Sequence, residues 1–303
     1  IKNECPLYIP QKVCWCLAVA AQLALCLYHR VKGYTRPGTN PESDPAAAVA
    51  YNHSIVGNWL AKLEEYRSAA LDLKGLTVLE LGPGPDPGAG MLFLASGAAH
   101  YSAIDVNQLF QQAGDSFYSA MIESLKGRVS SDVLMALKDE VAAFRMGKTS
   151  KIEYSCEPNF DLSVIGSPRF DLVVSQAAFE HFCDPATTIA QLSELVRPGG
   201  LAAIQIDLMT HTPRLRDWDP LSIYRVPNWI YRAASYPGVP NRIRPEQYKE
   251  MFESAGWKDL QIYATKRVCE EYLDCCRAAL AADFRGSEYD MSTLSMYLCA
   301  VRS

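Results

Sequence analysis

The chain has 303 residues, 49% of them hydrophobic and 21% charged, enough to bury a large core in one elaborated domain or in one domain with appendages. A net charge of −5, with no basic run longer than clusters such as Arg242-Ile243-Arg244, argues against a nucleic-acid backbone as partner. The ten cysteines do not form paired C-x-x-C knuckles, so they read as small reduced core residues of a cytoplasmic protein, and no metal is assigned.

In chain order, the first element is Val13 to Tyr28, 16 nearly continuous apolar residues flanked by Lys12 and by His29-Arg30-Val31-Lys32. A bilayer span needs about 20 such residues. With Gln22 in its middle, the run predicts a helix packed on the protein or lying at a membrane surface, and so a peripheral membrane contact, ahead of a span. Gly33 to Pro45 reads as a loop or linker, and Ala46 to Leu71 as a helix with Ile55, Trp59, Leu60 and Leu63 on one face. Tyr51 and His53, just before that stripe, read as core or capping residues rather than ligand contacts.

Val78-Leu-Glu80-Leu-Gly82-Pro83-Gly84-Pro-Asp86-Pro-Gly88 then joins a buried strand to a glycine-rich turn, and Ile104-Asp105 ends a second strand in a carboxylate that can accept two hydrogen bonds from a ribose diol. A dinucleotide fingerprint wants its third glycine where Pro87 stands, and Gly88 comes one place late. Glu80 and Asp86 would repel a pyrophosphate, so a cationic nucleoside fits better. With Glu80-x-Gly82-x-Gly84 and Asp105 the chain resembles the class I S-adenosylmethionine-dependent methyltransferases, whose cofactor carries a sulfonium, an ammonium and a ribose diol. The resemblance implies Glu80, Gly82, Pro83, Gly84, Gly88, Asp105 and Val106 as cofactor-binding residues and S-adenosylmethionine as the cofactor.

Asn107 to Ser150 is a long connection with a helix expected at Ser131 to Phe144, where Val133, Leu134, Leu137, Val141 and Phe144 share a face. Lys151 to Ser155 is the expected third strand; Glu157 and Asp161 after it are candidates to receive the adenine amino group, the choice between them staying open. Phe170 to Pro185, containing Ser175, Gln176 and Phe179-Glu180-His181, resembles the family's fourth-strand motif and adds Ser175 and Gln176 to the implied cofactor contacts. Leu195 to Ile206 resembles the turn entering the fifth strand, and Ala255-Gly256-Trp257, Leu260 to Tyr263 and Leu294 to Val301 look like the last two strands. The implied fold is α/β: a Rossmann-like, seven-stranded, mostly parallel sheet with one antiparallel strand and helices on both faces, spanning residues 76–303 behind an N-terminal helical extension and linker at 1–75.

The insertion at 207–245 begins at the carboxyl end of a strand, where open α/β sheets bind ligands, and is expected to form the acceptor pocket. It is similar to the corresponding segment of type 11 methyltransferases found with sugar and polysaccharide biosynthesis. Trp218, Tyr224, Trp229 and Tyr231 offer aromatic faces, and Asn241, Arg242 and Arg244 offer hydrogen bonds, a set that suits a polyol; a lid that buries the aromatics for area alone is the competing reading. The expected reaction is O-methylation of a sugar, glycan or other small hydroxylated acceptor, with N- or C-methylation of a small metabolite or lipid as the alternative. A hydroxyl must lose its proton, and His211, four residues past the strand-end Asp207, is the first candidate for general base; His181 is the rival. A non-catalytic cofactor-binding subunit and an aminopropyl transferase fit less well, the first because the Glu80, Gly82, Gly84 and Asp105 set is complete, the second because the insertion is basic and aromatic rather than acidic.

Overall fold

The structure, a computed structural model, describes residues 2–4, 11–33, 39–166, 170–212, 214–286 and 288–303; residues 34–38 of the expected linker and Pro213 of the insertion lie outside them. The elements run β1 (Lys2–Glu4), α1 (Gln11–Lys32), α2 (Pro45–Arg67), β2 (Thr77–Leu81), α3 (Gly88–Ala95), β3 (His100–Asp105), α4 (Asp115–Leu125), α5 (Ser131–Arg145), β4 (Ile152–Cys156), β5 (Phe170–Gln176), α6 (Pro185–Leu195), β6 (Val196–Asp207), α7 (Leu215–Trp218), α8 (Asn228–Ala233), α9 (Pro245–Ser254), β7 (Trp257–Val268), α10 (Glu270–Arg277) and β8 (Thr293–Arg302). The sheet order is β1-β7-β8-β6-β5-β2-β3-β4. Strand β8 runs antiparallel to both β6 and β7, and every other pairing is parallel. The expected seven-stranded, mostly parallel sheet with one antiparallel strand is therefore present. An eighth strand, β1, adds three residues to the β7 edge, pairing Lys2 with Lys266.

Local chemistry explains the elements that carry the site. Asp44 caps α2 by accepting the Ala47 amide, Pro45 pre-sets the first turn, and Ser68 in the left-handed region (φ 55°) ends the helix at Arg67, short of the expected Leu71. Strand β2 is buried from Val78 to Leu81, as a parallel strand covered on both faces must be. The Pro198-Gly199-Gly200 turn interrupts the β5–β6 ladder between Phe170 and Leu172, with Gly199 at φ +82°.

Two apolar layers sandwich the sheet. Helices α2 to α5 cover one face through Ile55, Trp59, Leu63, Phe93, Phe117 and Leu137. The other face is covered by α6 and α9 through Ile189, Leu192, Tyr248 and Phe252. On α5 only Leu137 and Val141 of the expected stripe are fully buried, and Val133 is 36% exposed. A third cluster joins Ala18 of α1 to Met209, Leu221, Tyr224, Tyr231 and Phe284, so the N-terminal helix and the insertion form one packed unit.

Helix α1 corrects the length argument made from the apolar run. It has 22 residues, of which Lys12–Lys32 is long and apolar enough to cross a bilayer. What distinguishes it from a free span is a packed stripe of Cys14, Ala18, Gln22 and Cys26 at four-residue spacing. Gln22 Nε2 donates to the Ala234 carbonyl at 2.9 Å, Cys26 Sγ to the Ser235 carbonyl at 3.6 Å, and Arg30 to the Ala233 carbonyl at 3.1 Å. Gln22, which interrupts the apolar run in sequence, is thus its anchor to the protein.

Candidate active site at the carboxyl edge of the sheet

The glycine turn sits between β2 and α3, above the carboxyl ends of β2, β5 and β3. Gly82 takes φ +70°, and a Cβ there would lie 2.5 Å from the Ala178 Cβ, so glycine is required for both the backbone and the packing. Gly84, at φ +80°, faces open space, with nothing within 4 Å of where a Cβ would be. Gly88 opens α3 against the side chain of Asn52.

Three buried carboxyl groups surround this turn. Glu80 accepts from the Tyr101 hydroxyl at 2.5 Å; burial pushes its pKa up to about 8, against that hydrogen bond and with the Asp86 and Asp105 charges adding to the rise. Asp86 accepts from Asn52 Nδ2 at 2.8 Å and the Gly88 amide at 3.0 Å, and burial raises it to about 6. Burial also raises Asp105, whose Oδ1 accepts the Asn107 amide at 3.0 Å. Confined acids that resist ionisation favour a ligand bearing positive charge, which repays the desolvation of their charged forms.

The other expected contacts divide. Val106 is 40% exposed beside Asp105. The Glu157 amide donates to the Asp105 carbonyl at 2.9 Å, which places Glu157 beside the β3 terminus. The Asp161 carboxylate accepts from the Ser163 amide and from Gln191 Nε2, and Glu157 Oε1 accepts the Asn159 amide at 3.2 Å. Ser175 is fully buried and donates to the Leu81 carbonyl at 2.8 Å, tying β5 to β2 rather than facing the cleft. Gln176 ends β5 with a buried Oε1 that has no hydrogen-bond partner among the described residues, an acceptor suited to an ammonium.

A second cluster gathers where β5 and β6 end. A 3₁₀ turn, Phe179–His181, carries Glu180 and His181, while Asp207 and His211 follow from β6. His211 Nε2 lies 3.6 Å from Asp207 Oδ2 and 4.0 Å from Glu180 Oε1, and the rings of His181 and His211 have centroids 4.8 Å apart. Asp207 is also paired with Arg216 at 2.5 Å; although burial opposes it, the His211 and Arg216 contacts hold its pKa below the usual value. Glu180 is pushed well above its usual value, by burial first and then by the Asp207 charge. The two histidines that the sequence offered as rivals for one role therefore stand in one cluster.

Tyr51 is the residue that the sequence reading assigned to a core or capping role. It is 36% exposed on α2, and burial of its hydroxyl end together with the Glu80, Asp86 and Glu180 charges raises it to about 12. One side chain thus feels the charge of acids in both clusters. Its neighbour His53 bonds Ser124 Oγ at 2.9 Å and links α2 to α4, a scaffold role.

The insertion residues are divided in the same way. Tyr224 donates to the Leu208 carbonyl at 2.9 Å, and the fully buried Arg244 donates to the Tyr224 hydroxyl at 3.0 Å and the Thr293 carbonyl at 2.7 Å. Tyr231 donates to the Pro240 carbonyl at 2.7 Å and stacks under Arg242, whose guanidinium binds the Ile223 and Val226 carbonyls. These four expected acceptor contacts are committed to holding the insertion together. Asn241 Nδ2 donates to the Phe179 and Phe182 carbonyls, and its amide donates to the Glu180 carbonyl at 2.7 Å, so it fixes the turn that carries Glu180 and His181. Trp218 (42%) and Trp229 (74%) stay exposed.

A family model described as a methyltransferase domain matches residues 51–262, beginning inside α2. No curated protein sequence matches the chain. Solved structures similar to it include an S-adenosylmethionine-dependent methyltransferase from Mesorhizobium loti (14% identity, 80% of this chain and 98% of that one, TM-score 0.44). Others are the [4+2]-cyclase SpnF (17%, 99% and 99%, 0.44) and a Haemonchus contortus phosphoethanolamine N-methyltransferase (13%, 93% and 57%, 0.43). Likenesses this distant carry no argument about the acceptor.

Proposed function

This chain belongs to the methyltransferase-domain family, and from that premise we propose that it binds S-adenosylmethionine and methylates a hydroxyl of a sugar, glycan or other small hydroxylated acceptor. The observation that supports the cofactor is the ring of buried acids, Glu80, Asp86 and Asp105, around a turn whose Gly84 leaves open space. Asp105 would hold the ribose diol, Gln176 Oε1 the ammonium, and Glu157 the adenine amino group. S-adenosylmethionine, when bound, supplies a methyl carbon already activated by a sulfonium. The protein's part is to align the acceptor oxygen with that carbon and to take the departing proton. His211 receives the proton, and the charged Asp207 beside it stabilises the resulting imidazolium.

Calorimetry tests the cofactor assignment. Asp105→Ala should weaken S-adenosylmethionine binding by about 1.5 to 3 kcal/mol, the range for hydrogen bonds to a charged group. In the wild type, affinity for the sulfonium form should rise as pH passes from about 6 to about 8, because Asp86 and Glu80 then ionise toward a cationic ligand. Tight NAD binding with no response to S-adenosylhomocysteine would sink the assignment.

A membrane surface is the proposed place of work. The outer face of α1 leaves Val13, Trp15, Leu17, Leu23, Leu27 and Tyr28 exposed, its last turn holds His29, Arg30 and Lys32, and it contains no acidic residue. This face borders a hollow of about 770 Å³ lined in part by Lys12, Trp15, Trp229, Arg232 and Arg285. Apolar and aromatic side chains ringed by cations suit the headgroup boundary of an anionic leaflet. The helix packs directly on the insertion, which favours an acceptor presented at that surface. The nine described cysteines form no disulfide among themselves, in keeping with a reducing, cytoplasmic compartment. Carbonate washing of membranes from cells making the full-length protein should release it; retention in the pellet would mean that α1 spans the bilayer.

A further inference from the structure

We propose that Glu180, His181 and His211 form a binding site for one divalent transition-metal ion of the zinc class. Their candidate ligand atoms all lie within 4.8 Å of one another. Ligand atoms around a tetrahedral ion with bonds of about 2.0 to 2.1 Å are roughly 3.4 Å apart, so modest side-chain rotations close the set.

The first observation is the state of Glu180. It is 2% exposed, and neither carboxyl oxygen has a hydrogen-bond partner among the described residues, although the Glu180 and Asp207 amides favour its charged form from nearby. Polar groups this deeply buried are almost always satisfied, and a carboxylate facing two imidazoles is satisfied by a cation shared with them. The second observation is the support of His181. Its Nδ1–H donates to the Gly238 carbonyl at 2.6 Å, which leaves Nε2 as the nitrogen with the lone pair. A backbone carbonyl behind the ring is how ligating imidazoles are oriented. Asn241 clamps the turn on both sides of Glu180 and His181, so two of the three ligands are held before any ion arrives.

The donor set selects the ion. Two imidazoles and one carboxylate suit zinc, iron, cobalt or manganese, whereas calcium and magnesium require oxygen ligands. Asp207 stays with Arg216 and is not needed as a fourth ligand, so at least one coordination position is left for a water or another ligand. The site bears on the proposed role of His211 as base: a neutral imidazole has one lone-pair nitrogen, and once it is given to a metal none remains for a proton. Metal occupancy and base catalysis at His211 therefore exclude each other.

The test uses Co²⁺ as an absorbing probe, titrated into full-length protein freed of metal by chelator. The expected result is one Co²⁺ per chain with ligand-field bands and no thiolate-to-cobalt charge-transfer band, which separates this site from the cysteines. Glu180→Gln and His181→Gln should each weaken binding at least tenfold, with circular dichroism confirming that they fold. Absence of stoichiometric binding, a thiolate band, or affinity unchanged in both variants overturns the proposal. Zn²⁺ should inhibit methyl transfer, and chelator should restore it. Full turnover with zinc bound at the three-residue site leaves the site standing and removes His211 from the base role instead.

Discussion

Replacing His211 by Gln lowers kcat about 10²- to 10⁴-fold, the usual worth of a positioned general base, while cofactor binding survives. The cause is specific. His211 lies 3.6 Å from an Asp207 that its His211 and Arg216 contacts keep charged despite burial, so the imidazolium formed by proton uptake has a fixed counter-charge. Glutamine retains polarity and approximate size but takes no proton. Steady-state kinetics with a hydroxylated acceptor, alongside calorimetry with S-adenosylhomocysteine, separates lost chemistry from lost binding. A His211→Gln enzyme with near-normal kcat defeats the assignment, above all if His181→Gln is folded, binds cofactor and is inactive, which moves the base to the facing ring. If neither histidine matters, alignment alone suffices and a nitrogen or carbon acceptor becomes the better account.

Arg225→Met costs about 3 to 5 kcal/mol of folding stability, because it removes the cation that pairs with the buried Asp219 carboxylate and leaves it only the Tyr272 hydroxyl. Asp219 and Arg225 are 1% and 0% exposed at their side chains, and the guanidinium grips the carboxylate through Nε at 2.7 Å and Nη2 at 3.0 Å. The Tyr272 hydroxyl binds the same carboxylate and brings α10 into the network. The double replacement Asp219→Leu with Arg225→Met should cost less than Arg225→Met alone, since it removes both charges and fills the space with apolar groups. Urea denaturation gives both values. A single-variant loss below about 1 kcal/mol would show that water reaches Asp219 and that the pair is not buried in solution.

The glycine turn and the carboxylate beside it were legible because their geometry is local. Val78 to Gly88 is one strand and one turn, and the alternation of strand and helix then dictates that the next parallel strand, ending at Asp105, lies alongside: Leu81 pairs with Ile104. Glu80, Gly82, Gly84 and Asp105 are therefore placed by chain order and sheet register. Gln176 follows from the same register, but Ser175 does not, because the next residue on a strand points to the other face and its hydroxyl closes on Leu81. The second cluster joins residues 27 positions apart, Glu180 on one turn and Asp207 at the end of the next strand, through His211. No spacing rule connects them.

The insertion shows why composition alone misleads. Tyr, Asn and Arg suit a polyol in the abstract, yet Tyr224, Tyr231, Arg242 and Arg244 face the inside of the insertion because a segment with little regular structure must satisfy its own carbonyls, and those side chains do it. The same holds for α1. Its length and apolarity, read alone, permit a span; the bonds from Gln22, Cys26 and Arg30 to residues 233–235 are formed across some 200 positions of chain. By itself the sequence determined the acid-lined glycine turn, through glycine conformation and local chain order, and its resemblance to the methyltransferases implied the mostly parallel sheet with one antiparallel strand; the structure showed that strand to be β8. Only the tertiary structure decided which histidines meet, which polar side chains are spent on the fold, and that Glu180 is left buried with neither oxygen satisfied, because burial and partnership are properties of packing between distant segments.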